Sequence, residues 1–132
     1  MLIDFVVMDK SKGNEIIDAI KSMSFKHGVP YSNVIFDNDG VGQFVDGFIE
    51  AAREFNNGGR PIDGENYKNL KSQCFLKSGD AVERAEYYIP PDVANRLYNK
   101  NGITLKEQLL KERKAIKRAK PDYDGKLSVI PK

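Results

Sequence analysis

The chain has 132 residues, of which 40% are hydrophobic and 30% are charged, and this fits a single domain over residues 1–132 with a real core. No apolar run is long enough for a transmembrane helix and no signal peptide pattern opens the chain, so we expect a cytoplasmic protein without membrane contact. The single cysteine and single histidine exclude a disulfide framework and a zinc site built from these residues.

The first half of the chain alternates between strand and helix patterns. Residues 2–8 are apolar except for one aspartate, and their aromatic and β-branched side chains predict a strand. Apolar residues at helical spacing follow from Ile16 and predict a helix that ends at Gly28. Residues 34–36 predict a second strand, residues 44–52 a second helix and residues 54–56 a third, short strand. This order predicts an α/β protein with a parallel strand pair.

The second half is predicted to be mostly helical. Residues 65–85 have a helical pattern, residues 87–89 form a short β-type run, and residues 92–99 favour a short helix. Thr104 and Glu107 have the spacing of a capping box and predict a helix that runs to about Ala119. Residues 126–130 predict a last strand or hairpin arm.

One loop carries a pattern that points to chemistry. Asp37 directly follows the second predicted strand, and Asp39 lies two residues further on, ahead of Gly40 and Gly42. Open α/β sheets place ligands at the carboxyl ends of their strands, and two nearby carboxylates can share a hard cation such as Mg²⁺. The glycines allow a sharp turn and the close approach of another chain. A purely structural Asp-Gly turn is the alternative interpretation.

Two families share features with this loop. Residues 36–41 match the first motif of the haloacid dehalogenase phosphatase superfamily, in which Asp37 would be the nucleophile and Asp39 the acid/base. The rest of the chain argues against that family, because a strand and a helix precede the motif and no later acidic pair follows a strand. The phosphatase is therefore the alternative to the second resemblance.

The second resemblance covers nearly the whole chain. Five segments carry it: residues 35–42, 44–48, 55–61, 67–74 and 124–132. In this order and spacing they resemble the C-terminal nuclease domain of the large terminase subunit of tailed phages, which has an RNase H-like fold. The resemblance implies an RNase H-like mixed sheet flanked by helices, as part of the machine that cuts and packages viral DNA.

This resemblance also implies an activity and its site. Family members are metal-dependent endonucleases whose acids hold two divalent cations, which generate the attacking hydroxide and stabilise the leaving oxygen. By resemblance, Asp37 is a catalytic residue and a ligand of Mg²⁺ or Mn²⁺, and Asp39 is a possible further metal residue. The implied partners are double-stranded DNA and other subunits of the packaging machine.

The chain departs from the family at both ends. The family's first acid lies in an Asp-x-Ala stretch on an opening strand, and neither Asp4 nor Asp9 lies in such a stretch. The family's last acid follows a Ser-Pro-Asp segment, which does not occur here. The ATP-binding pattern Gly-x-x-x-x-Gly-Lys-Ser/Thr does not occur either. We therefore expect a truncated nuclease domain that is weak or inactive as an isolated chain, with a non-catalytic DNA-packaging or assembly module as a further alternative.

The charge distribution suggests where a polyanion would bind. Residues 1–66 hold five more acids than bases, whereas residues 67–132 hold seven more bases than acids. This arrangement suits a protein that places metal-binding carboxylates beside a polyanion, although a solvated helix face is the alternative. The candidate DNA-binding residues are Lys68, Lys71, Lys111, Lys114 and Arg118.

Overall fold

Four α-helices and a two-stranded parallel sheet make up the regular structure in the computed structural model, which describes residues 1–38, 45–120 and 124–130. The chain is thus of mixed α/β class. Residues Met8–Asn57 form one compact unit, here called the sheet unit. Residues Met1–Val7 and Gly58–Lys132 form a second one, the helical unit. Among the described residues, no helix is both long enough and apolar enough to cross a membrane.

The sheet unit begins with α1 (Gly13–His27), which confirms the predicted helix. Its apolar side includes the buried Ile17. Gly28 ends the helix in the left-handed conformation, with φ at 62°, where a residue without a Cβ avoids strain.

The sheet consists of β1 (Ile35–Asp37) and β2 (Arg53–Phe55), which run parallel. Phe36 is paired with Glu54, and Asp37 with Phe55. Both strands lie within one residue of the positions predicted from the sequence. Their parallel pairing brings the carboxyl end of β1, and therefore Asp37, to the same edge as the end of β2.

The predicted helix over residues 44–52 is wrong in its described part. Residues 45–48 form turns instead, and Gly47 and Ala51 adopt positive φ angles of 77° and 68°, which an α-helix does not accept. Val45 and Ile49 of this segment are nevertheless buried, at 3% and 4% exposure, whereas Phe48 is 66% exposed. The apolar pattern therefore included two residues of the core, but it gave neither the backbone conformation nor the exposure of Phe48.

The core of the sheet unit is small. Ile17, Val45 and Ile49 form its buried cluster, and Phe36 of β1 packs against them. Because side chains alternate along a strand, the neighbours of Phe36 in β1 point to the opposite face of the sheet. Ile35 is accordingly 60% exposed, and Asp37 is exposed as well.

The helical unit contains the three remaining helices, α2 (Leu70–Glu83), α3 (Pro91–Ala94) and α4 (Leu105–Ala115). All three were predicted, but each is shorter than its sequence pattern. Before α2, residues 62–64 form a 3-10 turn in which Asp63 has a positive φ of 58°. The helix starts at Leu70, because the Asn69 side chain caps it there by accepting a hydrogen bond from the Ser72 N–H. The short β-type run predicted at residues 87–89 is wrong, because these residues form no strand.

The capping box of α4 is present. The Thr104 hydroxyl accepts a hydrogen bond from the Glu107 N–H at 3.3 Å, and the Glu107 carboxylate accepts one from the Thr104 N–H at 2.8 Å. The Thr104 N–H, and next the Thr104 hydroxyl, donate to the Glu107 carboxylate and hold the pKa of this carboxyl below its ordinary value.

The lowered pKa of Glu107 predicts a helix that weakens in acid. A folded-state pKa below the unfolded value of about 4.3 means that this contribution to stability is complete at neutral pH and is lost as pH falls through the folded-state pKa. Glu107→Gln can keep the reciprocal hydrogen bond but not the charge, so the variant should lose less helix than the wild type between pH 7 and pH 3. Circular dichroism at 222 nm measures this, with Glu50→Gln, an exposed turn residue, as the matched control. An equal loss of helix in acid for the wild type and Glu107→Gln would contradict a stabilising role for the Glu107 charge.

The predicted N-terminal strand over residues 2–8 is also wrong. These residues form no strand, and residues 1–7 belong to the helical unit. Side chains hold these residues in that unit. Arg96 donates a hydrogen bond of 2.5 Å to Asp4, whose side chain is only 7% exposed. The Arg96 guanidinium also lies 4.7 Å from the ring centre of Phe5. An ion pair and a cation–π contact thus replace the expected sheet pairing.

The C-terminal residues form a small backbone-paired structure, here called the ribbon, from residues 66–68, 117–119 and 127–130. Tyr67 pairs with Leu127 in parallel, and Arg118 pairs with Val129 in antiparallel orientation. The predicted last strand at residues 126–130 is therefore represented by single bridges rather than by a regular strand. The same pairing explains why α4 ends at Ala115, since the backbones of Lys117 and Ala119 bond to residues 130 and 128.

A buried glutamine connects α2 to the turn before it. Gln73 is 3% exposed, and its side-chain amide both accepts from the Ile62 N–H, at 2.7 Å, and donates to the Ile62 carbonyl, at 3.0 Å. It also donates to Glu65, which forms an ion pair of 2.6 Å with Lys77. The Lys77 ammonium and the Gln73 amide together hold the pKa of the Glu65 carboxyl below its ordinary value. Gln73 therefore fixes the backbone that leads into α2.

Candidate functional site

Asp37 lies at the carboxyl end of β1, as the sequence predicts. Its side chain is exposed, and its Oδ1 accepts a hydrogen bond of 3.2 Å from the Asn57 side-chain amide. Asn57 follows β2 by two residues and is partly buried. The amide donor orients the carboxylate, because one of its oxygens is held while the residue as a whole stays accessible to solvent.

A second hydrogen-bonded pair lies at the same edge of the sheet. The Asn38 amide donates to the Glu54 carboxylate at 2.6 Å. Glu54 is paired in register with Phe36, so alternation along the strands places it on the face opposite to Asp37 and Phe55. The two carboxylates of the sheet therefore point away from each other, and Glu54 does not add a second acid beside Asp37.

The donors at this edge can be compared with the needs of a divalent cation. Mg²⁺ and Mn²⁺ take oxygen ligands, and a two-metal site uses several carboxylates. Within residues 1–38, 45–120 and 124–130, no group of three or more histidine, cysteine, aspartate or glutamate side chains is placed to hold a metal. Asp39, the other predicted metal residue, lies outside the described residues. The described donors alone do not make a two-metal cage, and Asp37 is the residue among them that fits a ligand role.

The candidate DNA-binding residues all lie in the helical unit. Lys68 directly follows the Tyr67 bridge of the ribbon, Lys71 is in the first turn of α2, and Arg118 is paired within the ribbon. The ribbon thus brings Lys68 and Arg118, which are 50 positions apart in the sequence, to either side of residues 127–129. All five candidates except the partly buried Lys71 are exposed.

The other two candidates, Lys111 and Lys114, lie on α4. From Lys106 onward every residue of this helix is exposed except Gln108, which is partly buried, and Leu105 is the residue that the helix buries. Leu109 and Leu110 are 40% and 46% exposed. The apolar side chains of this helix beyond Leu105 are therefore largely accessible, and the lysines lie on a solvent-exposed helix.

Sequence patterns did not reveal the amides that orient the two carboxylates. Asn57 lies in the segment of residues 55–61, which entered only as part of the family resemblance. Asn38 lies between Asp37 and Asp39 and was given no role of its own. The contact of Asn57 with Asp37 depends on the parallel pairing of β1 and β2, since this pairing sets Asp37 opposite Phe55, two residues before Asn57.

Comparison with known proteins adds no relative from which a role could be transferred. No family model matches the chain, and no curated protein or solved structure is significantly similar to it. The functional argument therefore depends on the residues and their geometry.

Proposed function

We propose that this chain is part of a metal-dependent DNA endonuclease domain of a phage DNA-packaging terminase, with weak or no cutting as an isolated chain. The observation that carries the proposal is the position of Asp37, an accessible carboxylate at the carboxyl end of a parallel strand, oriented by the Asn57 amide. Ligands bind at this end of open α/β sheets. The loop sequence around Asp37 and the order of the segments along the chain give further support.

In this proposal Asp37 is a ligand of Mg²⁺ or Mn²⁺. When bound, the cations would supply an activated water and stabilise the leaving oxygen of the DNA backbone. The contribution of this chain is to hold the Asp37 carboxylate in position through Asn57, and Asp39 is proposed as a further metal residue. A cage for two metals requires additional carboxylates, and for this reason low activity is proposed for the chain by itself.

Metal binding should depend on both members of the Asp37–Asn57 pair. Asp37→Ala removes the ligand, whereas Asn57→Ala removes the amide that orients it, so we expect Asn57→Ala to weaken Mn²⁺ binding by about tenfold and Asp37→Ala to weaken it further. Calorimetric titration with Mn²⁺ measures both effects. Asp46→Ala is the matched control, because Asp46 is an exposed aspartate of the same unit.

The same variants distinguish the possible activities. A plasmid-nicking assay with Mg²⁺ or Mn²⁺ should show little cutting by the wild type. Robust cutting that Asp37→Ala abolishes would confirm the endonuclease and contradict the expected weakness of the isolated chain. Release of phosphate from a generic ester, lost in Asp37→Ala, would instead support a haloacid dehalogenase-like phosphatase. Unchanged Mn²⁺ affinity in Asp37→Ala would exclude Asp37 as a ligand.

A non-catalytic module for DNA packaging or assembly is the second candidate. The observation that favours it is the exposed basic surface of the helical unit, together with the lack of a three-residue metal group among the described residues. This candidate predicts salt-sensitive binding to double-stranded DNA or to other packaging subunits, without cutting at any metal concentration.

A further inference from the structure

The ribbon joins basic residues from three separate segments of the helical unit. Residues 127–130 are bonded on both sides: Lys68 N–H donates to the Leu127 carbonyl at 2.9 Å, and Ile130 N–H donates to the Lys117 carbonyl at 2.9 Å. The Val129 N–H additionally donates to the hydroxyl of Ser72 at 3.3 Å, which connects the ribbon to α2. The relative placement of these lysines is therefore fixed by backbone hydrogen bonds.

The pairing also determines which basic residues share a face. Directly paired residues lie on the same face, and faces alternate along each segment. Because Tyr67 pairs with Leu127, and Arg118 with Val129, the opposite face carries three lysines: Lys68, Lys117 and Lys126. Arg118 and Lys120 lie on the Tyr67 face. The predicted DNA-binding residues Lys68 and Arg118 therefore lie on different faces of the ribbon.

The three lysines form a spread cationic surface, here called the lysine face. All three are exposed, and strand spacings place Lys68 roughly 8 Å from Lys126, and Lys117 roughly 12 to 14 Å from each of the other two. Asp124 offsets part of this charge through an ion pair of 3.2 Å with Lys126. Ile130, 50% exposed, is the large apolar residue of the ribbon on this face.

We infer that the lysine face binds the phosphate backbone of double-stranded DNA, without reading bases and without a divalent metal. This inference deepens the proposed function by naming the surface that holds the substrate. Double-stranded DNA presents about one charge per 1.7 Å of its axis, so three exposed ammonium groups on flexible lysine side chains can meet phosphates in many registers. A lipid surface fits less well, since a single apolar side chain accompanies the three charges.

The test measures binding in EDTA, so that metal-dependent chemistry does not contribute. The affinity for two unrelated 30-base-pair DNA duplexes is followed by fluorescence anisotropy from 50 to 200 mM salt. K68Q/K117Q/K126Q removes three phosphate contacts, so the negative slope of log K against log salt should become shallower by about 2.7. Between 50 and 200 mM salt, the variant should therefore lose about 40-fold less affinity than the wild type loses. Both duplexes should give the same result.

Two further variants make the test specific. K10Q/K21Q/K100Q changes the net charge equally at exposed lysines outside the ribbon and should leave the slope unchanged. R118Q/K120Q removes the charges of the opposite face and should lower the slope by less than the triple variant. The inference is wrong if K68Q/K117Q/K126Q, with the circular dichroism of the wild type, has the same salt slope as K10Q/K21Q/K100Q. It is also wrong if R118Q/K120Q changes the slope more than the triple variant does. Tighter binding to vesicles of anionic lipid than to the duplexes would likewise contradict it.

The single variants K68Q, K117Q and K126Q guard against misfolding of the triple variant, and each should make the salt slope shallower by about 0.9.

Asp37→Ala separates this inference from the proposed function. Metal-free DNA binding that is intact in Asp37→Ala, in a protein that shows no metal-dependent cutting, supports the lysine face even if the endonuclease proposal fails. Cutting that needs Asp37 but is unaffected by K68Q/K117Q/K126Q would overturn the lysine face and leave the endonuclease proposal standing.

Discussion

Ile17→Ala is expected to destabilise the sheet unit by about 2 to 5 kcal/mol, the range measured when a large aliphatic side chain is truncated in a core. Ile17 is 7% exposed and forms the buried cluster together with Val45 and Ile49. With so few core residues, neighbouring side chains can do little to fill the cavity. Phe36 packs against the same cluster and precedes Asp37 in β1, so if Asp37 binds Mn²⁺ as proposed, the variant should also bind this cation more weakly.

Urea denaturation followed by circular dichroism measures this loss of stability, and hydrogen exchange shows whether it is confined to residues 8–57. Phe25→Ala is the matched control on α1, because Phe25 is 91% exposed and its truncation should change the free energy of unfolding by less than about 0.5 kcal/mol. If the two variants were equally stable, the buried cluster would not be the core of this unit.

Gln73→Leu should destabilise the helical unit by about 3 kcal/mol. The substitution keeps the size of the side chain but leaves the Ile62 N–H without its glutamine partner in a part-buried site, and such an unsatisfied group costs about 1 to 3 kcal/mol. The Ile62 carbonyl also loses the glutamine donor and keeps the longer hydrogen bond from the Glu65 N–H. The substitution also removes the hydrogen bond to the Glu65 side chain. The turn before α2 should then open, and thermal unfolding should begin at a lower temperature.

Gln108→Leu provides the control for Gln73→Leu. Gln108 lies on α4, is partly exposed and makes one side-chain hydrogen bond along its own helix, to Glu112 at 3.1 Å. We expect its replacement to change the free energy of unfolding by no more than about 0.5 kcal/mol. Thermal and urea denaturation of both variants make the comparison, and a Gln73→Leu protein as stable as Gln108→Leu would show that water replaces the lost hydrogen bonds.

The candidate site was partly predictable because its signal is local. A carboxylate after an apolar strand and ahead of glycines identifies Asp37 from a few consecutive residues. The orienting amide of Asn57 is 20 residues away and becomes a neighbour only when β1 and β2 pair in parallel. Likewise, the count of basic residues indicated a polyanion surface, but which lysines share a face follows from the two bridges of the ribbon.

The sequence by itself determined the features that depend on neighbours within about one helical turn. Gly28 ends α1 because its conformation favours a residue without a Cβ, and Thr104 with Glu107 starts α4 through hydrogen bonds between residues three apart. Apolar character also marked Val45 and Ile49 for burial, although the exposed Phe48 of the same segment shows that hydrophobicity alone does not decide which residues are buried.

Only the tertiary structure decided which segments pair and where each side chain points. The apolar N-terminal residues have strand propensity, yet the Asp4–Arg96 ion pair and the contact of Arg96 with Phe5 hold them in the helical unit without sheet pairing. Glu54 and Asp37 lie on opposite faces because register, not proximity in sequence, fixes the side of a sheet that a residue occupies. The ribbon ends α4 early because long-range backbone bonds override local helical propensity.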